Sequence, residues 1–101
     1  MKTNYLARQG DLLIKQINVF PKEITKRKTT IILYGEVTGH KHQLTDGDIF
    51  DGKDGLIYLL LSEAAKIVHE EHKPIVLKKG KYAVIRQREY QNKDMVRLVV
   101  D

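Results

Sequence analysis

Short runs of strand-forming residues, each ended by a turn signal, constrain the fold of this chain more than any other feature. The run at 29–34 reads Thr-Thr-Ile-Ile-Leu-Tyr, and the run at 56–61 reads Leu-Ile-Tyr-Leu-Leu-Leu. Glycine and aspartate stand side by side between such runs, for example in Gly10-Asp11 and Asp54-Gly55. Closely spaced short strands with these turns are typical of small barrels and sandwiches. The sequence pattern does not alternate between strand and helix, so it does not predict a parallel sheet.

The sequence therefore predicts one all-β domain over residues 1–101, a small β-barrel or β-sandwich of about eight short strands. The predicted strands are 11–19, 29–37, 41–44, 49–50, 56–61, 75–77, 82–90 and 95–100. The remaining segments are a polar lead-in at 1–10, a basic connecting loop at 21–28 and a hairpin-like turn at 78–81.

The segment 62–72 permits two interpretations. As a helix, it would begin at Ser62 and end before Pro74, with His69 and His72 on one face. As a strand, it would alternate between two faces of a sheet. The all-β surroundings favour the strand.

Composition limits the class of protein. The 101 residues contain no cysteine, which excludes disulfides, a thiol nucleophile and cysteine-based zinc sites. The N-terminus lacks an apolar signal core, and no run approaches the roughly 20 apolar residues of a membrane span. We expect a cytoplasmic protein that does not bind membranes. The net charge of +5 permits RNA or a nucleotide as a partner, and an exposed strand edge slightly favours a homodimer.

The four histidines fall into two tight pairs. His40 and His42 form Gly-His-Lys-His, and His69 and His72 form His-Glu-Glu-His. On a strand, alternate residues face the same way, so His40 and His42 can act together. Imidazole can ligate a metal, accept a proton or donate one near neutral pH. The pairs therefore mark the candidate site.

One hypothesis is a small phosphodiester-cleaving enzyme, a ribonuclease-like hydrolase that acts on RNA or a cyclic nucleotide. Such cleavage needs a base, an acid and cationic stabilisation of the phosphorane. The chain has histidine, glutamate, arginine, lysine and tyrosine for these roles, a set of side chains similar to that of small metal-independent ribonucleases. The candidate acid and base groups are the four histidines and Glu71. Arg86, Arg88 and Tyr90, on one face of the strand 82–90 together with Tyr82, are the candidate phosphate clamp. The hypothesis expects this strand to lie beside the one that carries His69.

A second hypothesis is a divalent-metal site ligated by His40, His42 and His72, with Mn, Fe, Ni or Zn as possible ions. Gly35, the His-Lys-His, Asp46 and Gly52 together resemble the first motif of the cupins, which would imply a cupin-like metal-binding β-barrel. The motif usually has glutamate at the position of Asp46, and its glycine intervals are one residue longer. Asp48, Glu70 and Glu71 are further candidate oxygen ligands.

The segments 35–42, 69–72 and 86–90 also resemble small bacterial and phage-type proteins of unknown function, which implies no activity. The third hypothesis is a non-enzymatic module that binds RNA or protein, in which the histidines are structural.

Overall fold

The computed structural model describes residues 6–34 and 39–86, and these residues form ten β-strands and no helix. The strands are β1 (Leu6–Gln9), β2 (Leu12–Ile17), β3 (Ile24–Lys26), β4 (Ile31–Tyr34), β5 (Lys41–Leu44), β6 (Asp48–Gly52), β7 (Ile57–Leu61), β8 (Ala65–Val68), β9 (Ile75–Leu77) and β10 (Gly80–Arg86). The predicted all-β fold is confirmed. The described part of the chain contains no helix with the length and apolar character needed to cross a membrane.

The strands form two antiparallel sheets. One has six strands in the order β1-β2-β10-β7-β6-β3, and the other has four in the order β4-β5-β8-β9. In the smaller sheet, β5 pairs with β8 so that Gln43 lies opposite Val68. This pairing places the chain around His40 and His42 beside the chain that continues into His69 and His72.

Both sheets contribute to one hydrophobic core. Leu12, Ile14 and Leu59 of the larger sheet are fully buried, as are Ile67 and Leu77 of the smaller one. All five belong to a single cluster of packed side chains. Alternation along each strand sends these residues inward and the lysines outward. A shared core makes the two sheets one structural unit.

The segment 62–72 is a strand over Ala65–Val68, followed by a loop that carries both of its histidines. The helix interpretation is therefore wrong. Buried Ala65 and Ile67 alternate with exposed Lys66, and the period of two outweighs the helix propensity of Ala64 and Ala65.

Two strands lie where the sequence predicted loops. Residues 6–9, predicted as a lead-in, form β1 because the Gly-Asp signal closes a hairpin in which Gln9 pairs with Leu12. Gly10 has a φ of +59° in that turn. The basic connector at 21–28 contains β3, an edge strand paired with β6, and an edge strand accommodates lysine readily.

The turn at 78–81 is not a hairpin, because β9 pairs with β8 and β10 pairs with β2 and β7. The chain crosses from one sheet to the other there. The expectation that the strand 82–90 adjoins the strand carrying His69 is wrong for the same reason. The last predicted strand, 95–100, lies outside the described residues.

Candidate functional site: a cluster of four histidines

All four histidine rings meet at one place. The ring centroid of His69 lies 4.4 Å from that of His42, 4.6 Å from that of His72 and 5.5 Å from that of His40. The rings of His42 and His72 are nearly parallel, at 8° and 6.4 Å. We call these four side chains the imidazole cluster. His42 belongs to β5, His40 precedes it, and the other two lie in the loop after β8.

His42 is the buried end of the cluster, with a side chain that is 2% exposed. Its Nδ1 lies 2.9 Å from Oε1 of Gln9, which is also buried. The amide nitrogen of Gln9 donates to the carbonyls of Ile67 at 3.0 Å and Lys73 at 2.8 Å. Because both amide hydrogens of Gln9 are donated, its oxygen must accept, and His42 must carry its hydrogen on Nδ1. The Nε2 atom of neutral His42 therefore presents a lone pair.

That lone pair faces a carboxylate. Nε2 of His42 lies 3.6 Å from Oδ1 of Asp11. The other carboxylate oxygen, Oδ2, accepts a hydrogen bond of 3.1 Å from Nε of Arg86, and Nη2 of Arg86 donates to the carbonyl of Tyr34 at 3.0 Å. Arg86 thus fixes the orientation of Asp11. The arrangement brings two acceptors together, one buried and one partly exposed.

Burial favours the neutral forms of His42 and His69. It lowers the pKa of His42 to about 4, an effect strengthened by His69, His72 and Arg86 and opposed by Asp11. Burial is also the largest cause that lowers the pKa of His69, followed by its neighbour His72. Neutral imidazoles retain the lone pairs with which they can bind a cation or accept a proton.

Two consecutive glutamates fasten the loop after β8 to the start of β5. Glu70 accepts a hydrogen bond of 2.8 Å from the backbone amide of Lys41 and contacts Nζ of Lys41 at 3.4 Å. The bond from that amide is the largest cause that lowers the pKa of Glu70 to about 2. Oε2 of Glu71 lies 3.7 Å from Nε2 of His40. These contacts hold the loop against the start of β5.

The rim of the cluster is accessible, in contrast to His42. His72 is exposed, and His40 and His69 are half-buried. The backbone amide of Glu71 donates to Nδ1 of His69 at 3.0 Å, so neutral His69 carries its hydrogen on Nε2. His69 also lines a cleft of about 240 Å³ with Lys41, Gln43, Val68 and Glu70. A small ligand can therefore reach three of the four rings.

The turn between β1 and β2 supplies the site residues that the sequence analysis missed. Gln9 and Asp11 both contact His42. Gly10 lies between them, and a Cβ at its position would stand 2.8 Å from Nε2 of His72. The Gly-Asp pair was visible in the sequence as a turn, but no local pattern shows which distant residues a turn will contact.

The structure brings together His40, His42, His69, His72 and Glu71, the residues that the sequence analysis named as candidate acid and base groups. Arg86 reaches the cluster through Asp11, while Tyr82, expected beside it, is a core residue whose hydroxyl donates to the carbonyl of Lys78. Arg88 and Tyr90 lie outside the described residues.

Two of the candidate oxygen ligands, Asp46 of the cupin-like motif and Asp48, are engaged elsewhere. Asp46 accepts a bond from the amide of Gly47, and Asp48 pairs with Lys26. Within residues 6–34 and 39–86, no three histidine, aspartate or glutamate side chains are arranged to hold a metal ion as they stand. The predicted set of His40, His42 and His72 does not form such a group, since His40 faces Glu71 instead.

The fold and the site together define a small antiparallel β protein with a half-buried imidazole cluster beside its core. A family model described as a domain of unknown function, DUF8820, matches residues 8–87. The chain belongs to this family. The matched span contains every residue of the cluster and its supporting contacts, from Gln9 to Arg86. No curated protein and no solved structure matches the chain.

Proposed function

We propose that the protein binds a divalent transition-metal ion at the imidazole cluster, with Nε2 of His42 and Oδ1 of Asp11 as the first two ligands. The observation that carries this proposal is the buried lone pair of His42, which faces a carboxylate oxygen at 3.6 Å. His42 has no hydrogen-bond donor on Nε2 among the residues that the structure describes. A buried acceptor without a donor calls for a cation or an ordered water between the two atoms.

The spacing of the two atoms suits a metal ion. Nitrogen and oxygen ligands lie about 2.0–2.2 Å from zinc, so two ligands of a tetrahedral shell are roughly 3.4 Å apart. The observed 3.6 Å is close to that value. Gln9 on His42 and Arg86 on Asp11 match the supporting contacts that usually orient metal ligands.

A third ligand requires a side chain to turn. His72 suits this role because its ring is exposed and its Nε2 lies beside Gly10, the neighbour of Asp11. His69 would first lose the hydrogen bond from the amide of Glu71. Imidazole and carboxylate ligands suit Mn, Fe, Ni and Zn.

The test is elemental analysis of untagged protein purified without chelator, followed by titration with each of the four ions. We expect about one ion per chain and a raised melting temperature on adding the preferred ion. Asp11→Asn keeps the shape of the side chain and should weaken binding at least roughly tenfold.

Asp46→Asn is the matched control, because it removes the acid of the cupin-like motif and should leave affinity unchanged. The absence of metal, together with no thermal shift from any of the four ions, would contradict the proposal. Loss of binding in Asp46→Asn but not in Asp11→Asn would also contradict it, and would favour the cupin-like ligand set instead.

A second candidate function is the cleavage of RNA or a cyclic nucleotide, and the pair of His40 with Glu71 favours it. An imidazole held by a carboxylate at an accessible rim is oriented for proton transfer to a bound substrate. His40 and Glu71 can transfer a proton whether or not the metal ion is bound. Arg86 contributes less than expected, since it already binds Asp11 and the carbonyl of Tyr34.

Cleavage of RNA and cyclic nucleotides by the wild type, by a His40→Ala/His72→Ala variant and by Glu63→Gln tests this candidate. Glu63 is exposed and lies outside the cluster, so Glu63→Gln should cleave as the wild type does. The double variant should lose most of the activity. Equal cleavage by all three proteins would reject the assignment of the site.

A further inference from the structure

We propose that a groove beside the loop between β3 and β4 binds the phosphate groups of a nucleic-acid strand without reading its sequence. The groove has a volume of about 530 Å³. The residues that line it and enter the argument are Lys26, Arg27, Lys28, Thr29, Thr30 and Asp48. It is lined by none of the cluster residues. The proposal is therefore independent of the metal site.

Arg27 holds the loop in place. Its guanidinium donates to both carboxylate oxygens of Asp51, at 3.0 and 2.6 Å, and to the carbonyls of Ile31 and Ile32, at 2.9 and 2.7 Å. Its backbone amide also donates to the carbonyl of Ile49 at 2.7 Å. These bonds anchor the start of the loop 28–30 to β4 and β6. A fixed loop loses little conformational entropy when it binds a ligand.

Residues 28–30 then present hydrogen-bond donors. Oγ1 of Thr29 accepts from the amide of Ile31, and Oγ1 of Thr30 accepts from Nε2 of Gln43, so each hydroxyl hydrogen is left to donate outward. Neither hydroxyl donates a hydrogen bond within residues 6–34 and 39–86. In the same part of the chain, Lys28 has no anionic partner. The loop therefore offers two hydroxyls and an ammonium group to an acceptor.

The remaining charges of the groove also favour an anion. Lys26 pairs with Asp48 at 3.4 Å, and both side chains are largely exposed. An exposed ion pair of this kind contributes little and exchanges partners readily. Asp48 is the only carboxylate that lines the groove within the described residues. The groove thus offers a phosphate oxygen two ammonium groups, those of Lys26 and Lys28, and only one repelling carboxylate, that of Asp48.

Size and chemistry favour a nucleic-acid strand over a single phosphate or an acidic peptide. A water molecule occupies about 30 Å³ of liquid, so a groove of about 530 Å³ exceeds what one phosphate group fills. No aromatic side chain lines the groove in the described part of the protein, so bases have no stacking platform there. Contacts to phosphates alone position a strand without specifying its sequence. The net charge of +5 supports the approach of such a strand.

The test measures the affinity of labelled single-stranded oligonucleotides of several sequences by fluorescence anisotropy over a range of salt concentrations. Chelator is present so that a metal ion cannot bridge the strand to the imidazole cluster. Lys28→Glu should weaken binding by about tenfold or more and reduce the salt dependence by roughly one counterion. Lys15→Glu is the matched control, because it changes the net charge identically at an exposed lysine of β2, which three strands separate from β3 in the larger sheet.

The proposal requires binding that is similar for all sequences and is weakened far more by Lys28→Glu than by Lys15→Glu. Equal weakening by the two variants would overturn it and show attraction by net charge alone. Equal displacement of the strand by polyglutamate would overturn it in favour of acidic peptides. Binding of inorganic phosphate without binding of oligonucleotides would overturn the assignment of a strand.

Discussion

At the scale of single residues, Gln9 determines which nitrogen of His42 faces Asp11. Its buried amide donates to two carbonyls and accepts from Nδ1 of His42, so three groups depend on one side chain. Methionine has a similar length but can neither donate both bonds nor accept the third. Gln9 therefore satisfies buried hydrogen-bonding groups that an apolar side chain of similar length would leave without a partner.

Replacing Gln9 with methionine should therefore lower the free energy of unfolding by about 2 kcal/mol or more, because buried partners are left without hydrogen bonds. Urea denaturation measures this change. Gln43→Met is the control, since the amide of Gln43 donates to a hydroxyl in an exposed position, and it should cost within about 0.5 kcal/mol. Similar losses in the two variants would show that the contacts of Gln9 add no particular stability.

Two features of position 10 favour glycine: its backbone is in the left-handed region, and the ring of His72 leaves no room for a side chain. Its φ is +59°, and a Cβ would stand 2.8 Å from Nε2 of His72. Gly10→Ala should lower stability by about 1–2 kcal/mol for the backbone alone, and it should also displace the ring of His72. The NMR signals of the His72 ring report that displacement.

Gly55→Ala separates the two effects, because Gly55 has a φ of +89° but nothing lies within 4 Å of its Cβ position. It should lose similar stability and leave the signals of His72 unchanged. Unchanged His72 signals in Gly10→Ala would mean that the ring does not rest against the turn.

These residues show which parts of the site can be predicted from the sequence and which cannot. His40, His42, His69 and His72 were predictable because imidazole is rare and functional, and because all four stand in two short motifs. Gln9, Gly10 and Asp11 were not, because they act on a residue more than 30 positions away through a hairpin that the sequence did not reveal. Residues with intrinsic chemistry can be recognised locally, whereas residues that orient them become visible only in the fold.

At the scale of elements, strands with β-branched and alternating residues were predicted well. β5, Lys41–Leu44, and β9, Ile75–Leu77, have the expected bounds. β1 and β3 were not predicted, because their residues, Leu-Ala-Arg-Gln and Ile-Thr-Lys, form strands through pairing with β2 and β6 and not through strand propensity. Which strands pair was also not predictable, since β10 joins two strands distant in sequence.

The pairing of β3 with β6 leads to a prediction about acid stability. The hydrogen bond from Arg27 is the largest cause that lowers the pKa of Asp51 below its ordinary value. The ionised pair stabilises the folded protein above the ordinary pKa, and this contribution is lost as pH falls through the lowered value. Because the Asp51 side chain is 53% exposed, the contribution is below about 1 kcal/mol.

Asp51→Asn should therefore be less stable than the wild type at neutral pH, and the difference should shrink under strongly acidic conditions. Urea denaturation over a pH series measures both curves. Glu63→Gln removes a carboxylate with no partner in the described residues and should keep the wild-type shape of the curve. A constant difference between Asp51→Asn and the wild type at every pH would contradict the role of the ion pair.

At the scale of the whole molecule, the single core implies that the two sheets unfold together. Leu59 of β7 and Ile67 of β8 are both fully buried and belong to the same packed cluster, although they lie in different sheets. Neither sheet can bury its inner face without the other. Removing core volume from either one should therefore destabilise both.

Leu59→Ala and Ile67→Ala should each lower the free energy of unfolding by about 2–5 kcal/mol, since each leaves a cavity in a close-packed interior. Each variant should still unfold in one transition, with far-UV circular dichroism and tyrosine fluorescence changing together. Tyr58 and Tyr82 are buried in the larger sheet and provide the fluorescence signal from that sheet. If Ile67→Ala instead lost part of its circular dichroism before its tyrosine signal changed, the smaller sheet would unfold separately. The imidazole cluster, which lies on that sheet and is held by the β1–β2 turn of the other, would then be lost before the global transition.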